Sequence, residues 1–271
     1  MTRGSTRPSA RVALVTGASA GIGEAFARLY AAEGCDLVLT ARREDRLRRL
    51  AAELGERFGV DAQVIAADLA DPAAPAAIVE ALRGRPVDIL VNNAGYGLPG
   101  VYAETRWADQ QAFLQVLLTA VCELTHRLLP GMIARRYGRV INVASLAGLV
   151  PGGPGSTLYG ATKSFLVGFS ESLNIETAES GVHVTALCPG FTWSEFHDAN
   201  GARERVNRNV PRWAWQDAEA VARAGMRAVE ANRAVAVPGL ANKAIALLAR
   251  LTPDAWALAL MRAQAARFRQ L

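Results

Sequence analysis

The sequence predicts an α/β fold built on one doubly wound parallel sheet of about seven strands. Three observations carry that prediction. Short apolar runs alternate with longer segments of helical period from Arg11 onward, and such alternation implies parallel strands with helices on the sheet faces. The first apolar run ends in a glycine-rich turn that opens a helix-like segment. The 271 residues, 51% hydrophobic and 20% charged, suffice for a sizeable core and contain neither a long linker nor an internal repeat.

The elements follow in order. Residues 1–10 are polar and read as a flexible tail, leaving 11–271 as one domain. Arg11 to Thr16 is apolar and reads as the first strand, and Gly21 to Glu33 as the helix after the glycine turn. Asp36 to Thr40 is the second strand. Glu44 to Phe58 is an arginine-rich amphipathic helix. Asp61 to Ala67 is a strand and Pro72 to Leu82 a helix. Val87 to Val91 is a strand running into Asn92-Asn93-Ala94-Gly95. A long helix covers Gln110 to Arg135, with Pro130 or Gly131 as its expected stop. Gly138 to Ala144 is the fifth strand, and a Gly/Pro-rich loop leads to a helix that begins near Tyr159. Val182 to Cys188 and Ala234 to Val237 are the last two strands. Residues 191–215 stand apart as an aromatic-rich insertion, and 239–271 as two amphipathic basic helices. For that tail, packing on the core or a subunit contact is the leading expectation, ahead of contact with a membrane surface.

Composition excludes several classes. The net charge of +5 gathers in Arg42, Arg43, Arg46, Arg48 and Arg49, interrupted by Glu44 and Asp45. That is a solvated helix start able to hold an anion, not a nucleic-acid face. Cys35, Cys122 and Cys188 lack metal-ligand spacing and leave an odd thiol, which suits free thiols in a reducing compartment. No metal site is expected. The first ten residues lack the apolar stretch of a secretory signal, and a cytoplasmic protein is expected.

Two constellations carry chemistry. Thr16-Gly17-Ala18-Ser19-Ala20-Gly21-Ile22-Gly23 joins a strand to a helix. Glycines let the backbone approach an anion, and the free N–H groups of the helix start attract it. Tyr159 and Lys163 stand four residues apart on a helix-like run, so the phenol and the ammonium share one face. The chain uses two lysines against 28 arginines, and a lysine is a compact point charge on a flexible stem. An ammonium beside a phenol lowers its pKa from the usual ~10, making it a usable general acid or base.

With Ser145 and Pro189-Gly190 these motifs occur in a fixed order, and the chain resembles the short-chain dehydrogenase/reductase family over about residues 11–240. The resemblance implies a Rossmann-like dinucleotide fold and catalysis by Ser145, Tyr159 and Lys163. Ser145 would polarise a substrate carbonyl and Tyr159 would transfer the proton. Lys163 would hold the cofactor ribose and depress the tyrosine pKa. It implies a cofactor held by Gly17, Ser19, Gly21, Ile22, Gly23, Asp68, Leu69, Asn92, Ala94, Gly95, Tyr159, Lys163, Pro189, Gly190 and Thr192, with Ser194 as the alternative to Thr192. Arg42 ends the second strand where no acid stands, so NADP(H) is expected over NAD(H), with Ser19 donating to the same phosphate. One position departs from the family pattern. Leu117 occupies the place of an asparagine that helps a proton relay, and leucine cannot hydrogen-bond. Gln115 or Thr119 could compensate.

The expected activity is an NADPH-dependent reduction of an apolar or aromatic ketone or aldehyde. The alternatives are a non-catalytic NADP-binding protein and a 3-oxoacyl thioester reductase. The aromatic residues of the 191–215 lid suggest the apolar substrate. His183 is expected in the core, His126 at a subunit contact, and His197 in the lid. The resemblance further implies a homodimer or homotetramer that pairs the long helix and the Tyr159 helix.

Overall fold

Hydrophobic runs too short for helices become the strands, and the central ones are buried on both faces by the helices between them. In the computed structural model, which describes residues 10–98, 100–153, 155, 157–195 and 210–268, the order is β1 (Val12–Thr16), α1 (Gly21–Ala32), β2 (Asp36–Ala41), α2 (Glu44–Phe58), β3 (Ala62–Ala66), α3 (Ala74–Ala81) and β4 (Ile89–Asn92). Then come α4 (Trp107–Leu114), a π-helical segment (Gln115–Thr119), α5 (Ala120–Ala134), β5 (Gly138–Val143), α6 (Thr157–Glu176), β6 (Val182–Leu187), α7 (Ala218–Glu230), β7 (Val235–Ala236), α8 (Leu240–Leu251) and α9 (Asp254–Phe268). The sheet runs β3-β2-β1-β4-β5-β6-β7, and every pairing is parallel.

Two cores sandwich the sheet. On one face Phe26 of α1, Leu47 and Leu54 of α2 and Val221 of α7 meet Val15, Leu37 and Leu39. On the other, Ile78 of α3, Phe113 of α4, Leu117 and Leu124 meet Leu14, Val38, Leu90 and Val140. The sequence expectation of a doubly wound sheet is met.

Two local expectations need correction. The long helix starts at Trp107 and runs to Ala134 as one piece interrupted only by the π-helical segment, and Pro130 lies inside it. It is long and apolar enough to span a bilayer, but Phe113, Leu117 and Leu124 are spent on the sheet. Helix α7 was not expected. Asp217 caps it by accepting the Ala220 N–H at 3.1 Å, and Val221, Met226 and Val229 bury its inner face. The tail does form two helices, but much of their apolar surface faces outward. Cys35 and Cys188 are buried and Cys122 half-buried, all three as free thiols. His183 is half-buried with its Nδ1 2.8 Å from Val229 O, and His126 is exposed. His197, most of the 191–215 lid and residues 1–9 lie outside the described residues.

Candidate active site

β1 has β2 on one side and β4 on the other, so the connections leaving β1 and β4 diverge and open a crevice at the carboxyl edge of the sheet. Thr16 fixes this fork. Its hydroxyl accepts the backbone N–H groups of Asn93 and Ala94, both at 2.9 Å, while Asn93 Nδ2 donates to Thr16 O at 2.9 Å. Gly17 turns through φ 66°, where a Cβ would stand 2.7 Å from Asn93 Nδ2. At Gly23 a Cβ would stand 2.4 Å from both Gly17 O and Asn93 Nδ2. The turn therefore closes so tightly that side chains at these positions are excluded. Its helix starts bare, because Ala20 is the N-cap and has no side-chain acceptor to offer the first N–H groups. A bare helix start on a glycine turn suits a phosphate. Ile22 belongs to this turn, with its side chain packed toward the α1–α2 core.

The strand-end arginine site is built differently from the expectation. Arg42 is exposed, close enough to Tyr96 and Asp68 for all three to interact electrostatically. Arg43 engages Ser19 instead, donating from Nε at 3.2 Å and from Nη2 at 3.0 Å to its hydroxyl. Arg43 Nη1 and Arg46 Nη1 then grip the two oxygens of Glu195, each at 2.6 Å. The arginines hold that carboxylate below its usual range. Glu195 follows β6 and is remote in sequence, so nothing near Arg42 announced it.

The neighbouring residue settles which side chain lies at the glycine turn. Ser194 Cβ is 2.8 Å from where a Cβ on Gly21 would be. Thr192 is buried, donates its hydroxyl to Gly190 O at 3.1 Å and bridges to Gln216. Of Thr192 and its alternative Ser194, Ser194 is the side chain that lies against the glycine turn. The Asn92 side chain is buried and its Nδ2 donates to Thr125 Oγ1 at 3.1 Å and Asn142 Oδ1 at 2.8 Å, which braces α5 against β5. Asn93, not Asn92, shapes the crevice with its side chain. Leu69 is buried in the core, whereas Asp68 is exposed and caps its own turn by accepting the Ala70 N–H. Gly95 lies against Leu117, whose Cγ is 3.7 Å from a Cβ built there. Pro189 O accepts the Leu146 N–H at 2.8 Å, which ties the turn after β6 to the loop after β5.

That loop carries Ser145. Its Oγ accepts the Ala147 N–H at 3.1 Å and is hydrogen-bonded to the Tyr159 hydroxyl. Lys163, one helical turn beyond Tyr159, is 5% exposed. Its Nζ donates to Val143 O at 2.7 Å and lies 5.7 Å from the centroid of the Tyr159 ring. Gly148 lets the loop rest on α6, since a Cβ there would be 2.5 Å from the Lys163 carbonyl carbon. Ser145, Tyr159 and Lys163 are therefore brought together. Tyr159 also lines a cavity of ≈ 10 Å³, with Leu98, Tyr102, Gln110 and Phe113, enough for about one water.

The electrostatics correct one expectation. Burial pushes the Tyr159 phenol above its ordinary range, and the Ser145 hydrogen bond opposes that rise. The ammonium does not reverse it. Burial instead lowers Lys163 to about 8, and pushes the neighbouring Cys188 thiol up to about 12. Leu117, at the position of the family's asparagine, is buried within the π-helical segment. Gln115, in the same segment, has a buried Nε2 without a hydrogen-bond partner among the described residues, and its amide does not stand in for the missing asparagine through any contact seen here.

In the lid, Trp193 stacks on Trp215 at 4.1 Å between centroids, and Phe191 tilts against Trp215 at 5.6 Å. Only Trp215 is buried by the contact, and Phe191 and Trp193 remain exposed. Trp213 is exposed, and Phe196 lies outside the described residues.

A parallel sheet with a glycine turn at its switch point and a Ser-Tyr-Lys cluster at the next strand end defines a nucleotide-cofactor oxidoreductase. The model of the short chain dehydrogenase family matches residues 11–205, and the chain belongs to the short-chain dehydrogenase/reductase family. It is 45% identical over 188 residues, 66% of this chain and 67% of the relative, to granaticin polyketide synthase putative ketoacyl reductase 1 of Streptomyces violaceoruber. Among solved structures it resembles a short-chain dehydrogenase from Sphingobium yanoikuyae in complex with NADPH (TM-score 0.79, 31% identity, 93% of this chain and 95% of that one). It also resembles a short-chain dehydrogenase/reductase from Burkholderia phymatum in complex with NAD (TM-score 0.79, 27% identity, 88% and 92%).

Proposed function

We propose that this oxidoreductase interconverts a carbonyl and an alcohol on an apolar or aromatic ketone or aldehyde, with NADP(H) as redox partner. The observation that carries the reading is the hydrogen bond joining the Ser145 and Tyr159 hydroxyls, with the Lys163 ammonium buried beside the tyrosine ring. The residues present fit the cofactor. Gly17, Gly21, Gly23 and the bare start of α1 would take its diphosphate, with Ser194 beside them. Ser19, Arg43 and Arg46 would take a 2′-phosphate, as they already hold the Glu195 carboxylate, with Arg42 on the adenine side. Lys163 would hold the ribose. When bound, the cofactor supplies or accepts the hydride.

Ser145 donates a hydrogen bond to the substrate oxygen and fixes its position. Tyr159 delivers a proton to that oxygen in reduction and recovers it in oxidation. A phenol raised by burial is a reluctant base, so the alcohol-to-ketone direction runs better at high pH. The apolar substrate class is supported by Leu98, Tyr102 and Phe113 around Tyr159 and by the aromatic stack of the lid. Assembly as a homodimer or homotetramer belongs to the same reading, supported by exposed Ile133 on α5 and Phe165 and Ile175 on α6.

A ketone and alcohol panel with NADPH and NADH, repeated with Tyr159→Phe, tests the proposal. Turnover with NADPH on apolar ketones, lost in the variant while cofactor still binds, is expected. Equal turnover in the variant would overturn it. Reduction of a 3-oxoacyl thioester is the second reading, favoured by the name of the Streptomyces relative. The panel separates the two when it includes such a thioester.

A further inference from the structure

We propose that α8 and α9 form a docking face for an anionic lipid surface. Helix α8 is turned inside out. Its buried side is Asn242, which donates to Gln216 Oε1 and Pro238 O, both at 2.9 Å. Asn242 also lies on the Pro189-Gly190 turn, where a Cβ on Gly190 would be 2.6 Å from its amide. Ala246 and Ala249 extend that side and are half-buried. At 100° per residue Leu240, Leu247, Leu248 and Leu251 fall on the opposite side, and Leu240 is 84% and Leu251 70% exposed. A helix that completes a globular core has the reverse polarity. Helix α9 continues the face. It rests on the body through Ala257 and Met261, whose Cε is 3.0 Å from a Cβ built on Gly153, and it exposes Trp256 (73%), Leu258 and Leu260.

Charge selects the occupant. Residues 240–271 contain five basic residues, Lys243, Arg250, Arg262, Arg267 and Arg269, against one acid, Asp254. Lys243, Arg250 and Arg262 are exposed beside the leucines. A second copy docked by the same face would set the exposed Lys243, Arg250 and Arg262 against the like charges of its partner. Anionic headgroups complement the same set, and exposed leucine and tryptophan beside basic side chains suit burial at the headgroup boundary. This face adjoins the candidate site, because α8 is pinned to the turn after β6 and α9 lies on the loop that leads to Tyr159.

The test is sedimentation of the full chain with vesicles of phosphatidylcholine alone or mixed with phosphatidylglycerol, beside sedimentation velocity without lipid. Pelleting with the acidic vesicles, reduced by high salt, is expected. The double variant Lys243→Gln/Arg250→Gln is expected to bind roughly 25-fold more weakly, about fivefold for each residue. Leu247→Ser/Leu251→Ser is expected to lose most of the pelleted fraction with an unchanged melting temperature, since both leucines are exposed. The proposal is overturned if the parent stays in the supernatant, or if it pellets equally with phosphatidylcholine alone. It is also overturned if the leucine variant pellets like the parent but loses self-association, which would assign the face to a second copy.

Discussion

Replacing Lys163 with methionine should make the ligand-free protein more stable while destroying its activity. Burial lowers the lysine from an ordinary 10.5 to about 8, an interval that corresponds to a penalty of roughly 3 kcal/mol for holding the charge at pH 7. Methionine fills nearly the same volume and removes the charge. It leaves Val143 O without the 2.7 Å hydrogen bond from Nζ, at a cost of about 1 kcal/mol. The net gain is about 2 kcal/mol, or roughly 4–8 °C in Tm for a domain of this size. The pH dependence has a definite sign. The folded-state pKa lies below the unfolded one, so between about 8 and 10.5 the unfolded chain binds more protons and the parent gains stability as pH rises. Below pH 8 the penalty is complete. The advantage of Lys163→Met should therefore be largest at pH 7 and shrink toward pH 10. Thermal unfolding followed by circular dichroism at both pH values, without cofactor, measures it. A variant less stable than the parent at pH 7, or a gap of constant size across the range, would refute the reasoning. The expected outcome is a charge retained at the expense of stability, the usual signature of a functional group.

Other expectations follow from the same contacts. Glu195→Gln should tighten NADPH about fivefold by releasing Arg43 and Arg46 from two half-exposed ion pairs, and should leave NADH unchanged. Fluorescence titration decides this, and an unaltered NADPH Kd would separate the arginines from the 2′-phosphate. Arg43→Ala should weaken NADPH on the order of tenfold or more and exceed the effect of Arg42→Ala, because only Arg43 is fixed on Ser19. The reverse ranking in the same titration would restore Arg42 to the phosphate. Gly23→Ala forces a Cβ to within 2.4 Å of a backbone carbonyl, and a loss of about 3 kcal/mol is expected. Denaturant unfolding showing no loss would mean that the turn is looser than its geometry.

The sheet was legible because strand order and helix alternation depend on hydrophobic runs that any window of sequence displays. The glycine turn and the Tyr159–Lys163 spacing were legible for the same local reason. What escaped depends on distant contacts. Arg42 and Arg43 are indistinguishable in sequence, and the choice between them is made by Glu195, about 150 residues away. Thr192 and Ser194 differ because Thr192 pairs with Gln216 and turns inward. The Asn92 amide nitrogen is taken up by Thr125 and Asn142, partners that no window of sequence around it displays. The Tyr159 pKa went the other way because burial is a property of the folded surroundings, and four-residue spacing fixes only the neighbour. Helix α7 had a readable signal in Asp217, three residues ahead of the amide that it caps.

The stretch from Pro189 to Glu195 gathers several of these distant contacts. Pro189 holds the Ser145 loop through the Leu146 N–H. Gly190 receives Asn242 from α8, Ser194 lies on the glycine turn at Gly21, and Glu195 joins Arg43 to Arg46. Four of these seven residues thus touch the Ser145 loop, α8, the glycine turn and the arginine pair. Each contact on its own is weak, since the ion pairs are half-exposed and Ser194 is a small side chain. Their joint effect is geometric. Under the proposed function a 2′-phosphate would compete with Glu195 for the arginines, and Glu195 is joined through Ser194 to the glycine turn and through Gly190 to α8. In that reading cofactor discrimination and the placement of α8 share one segment of backbone.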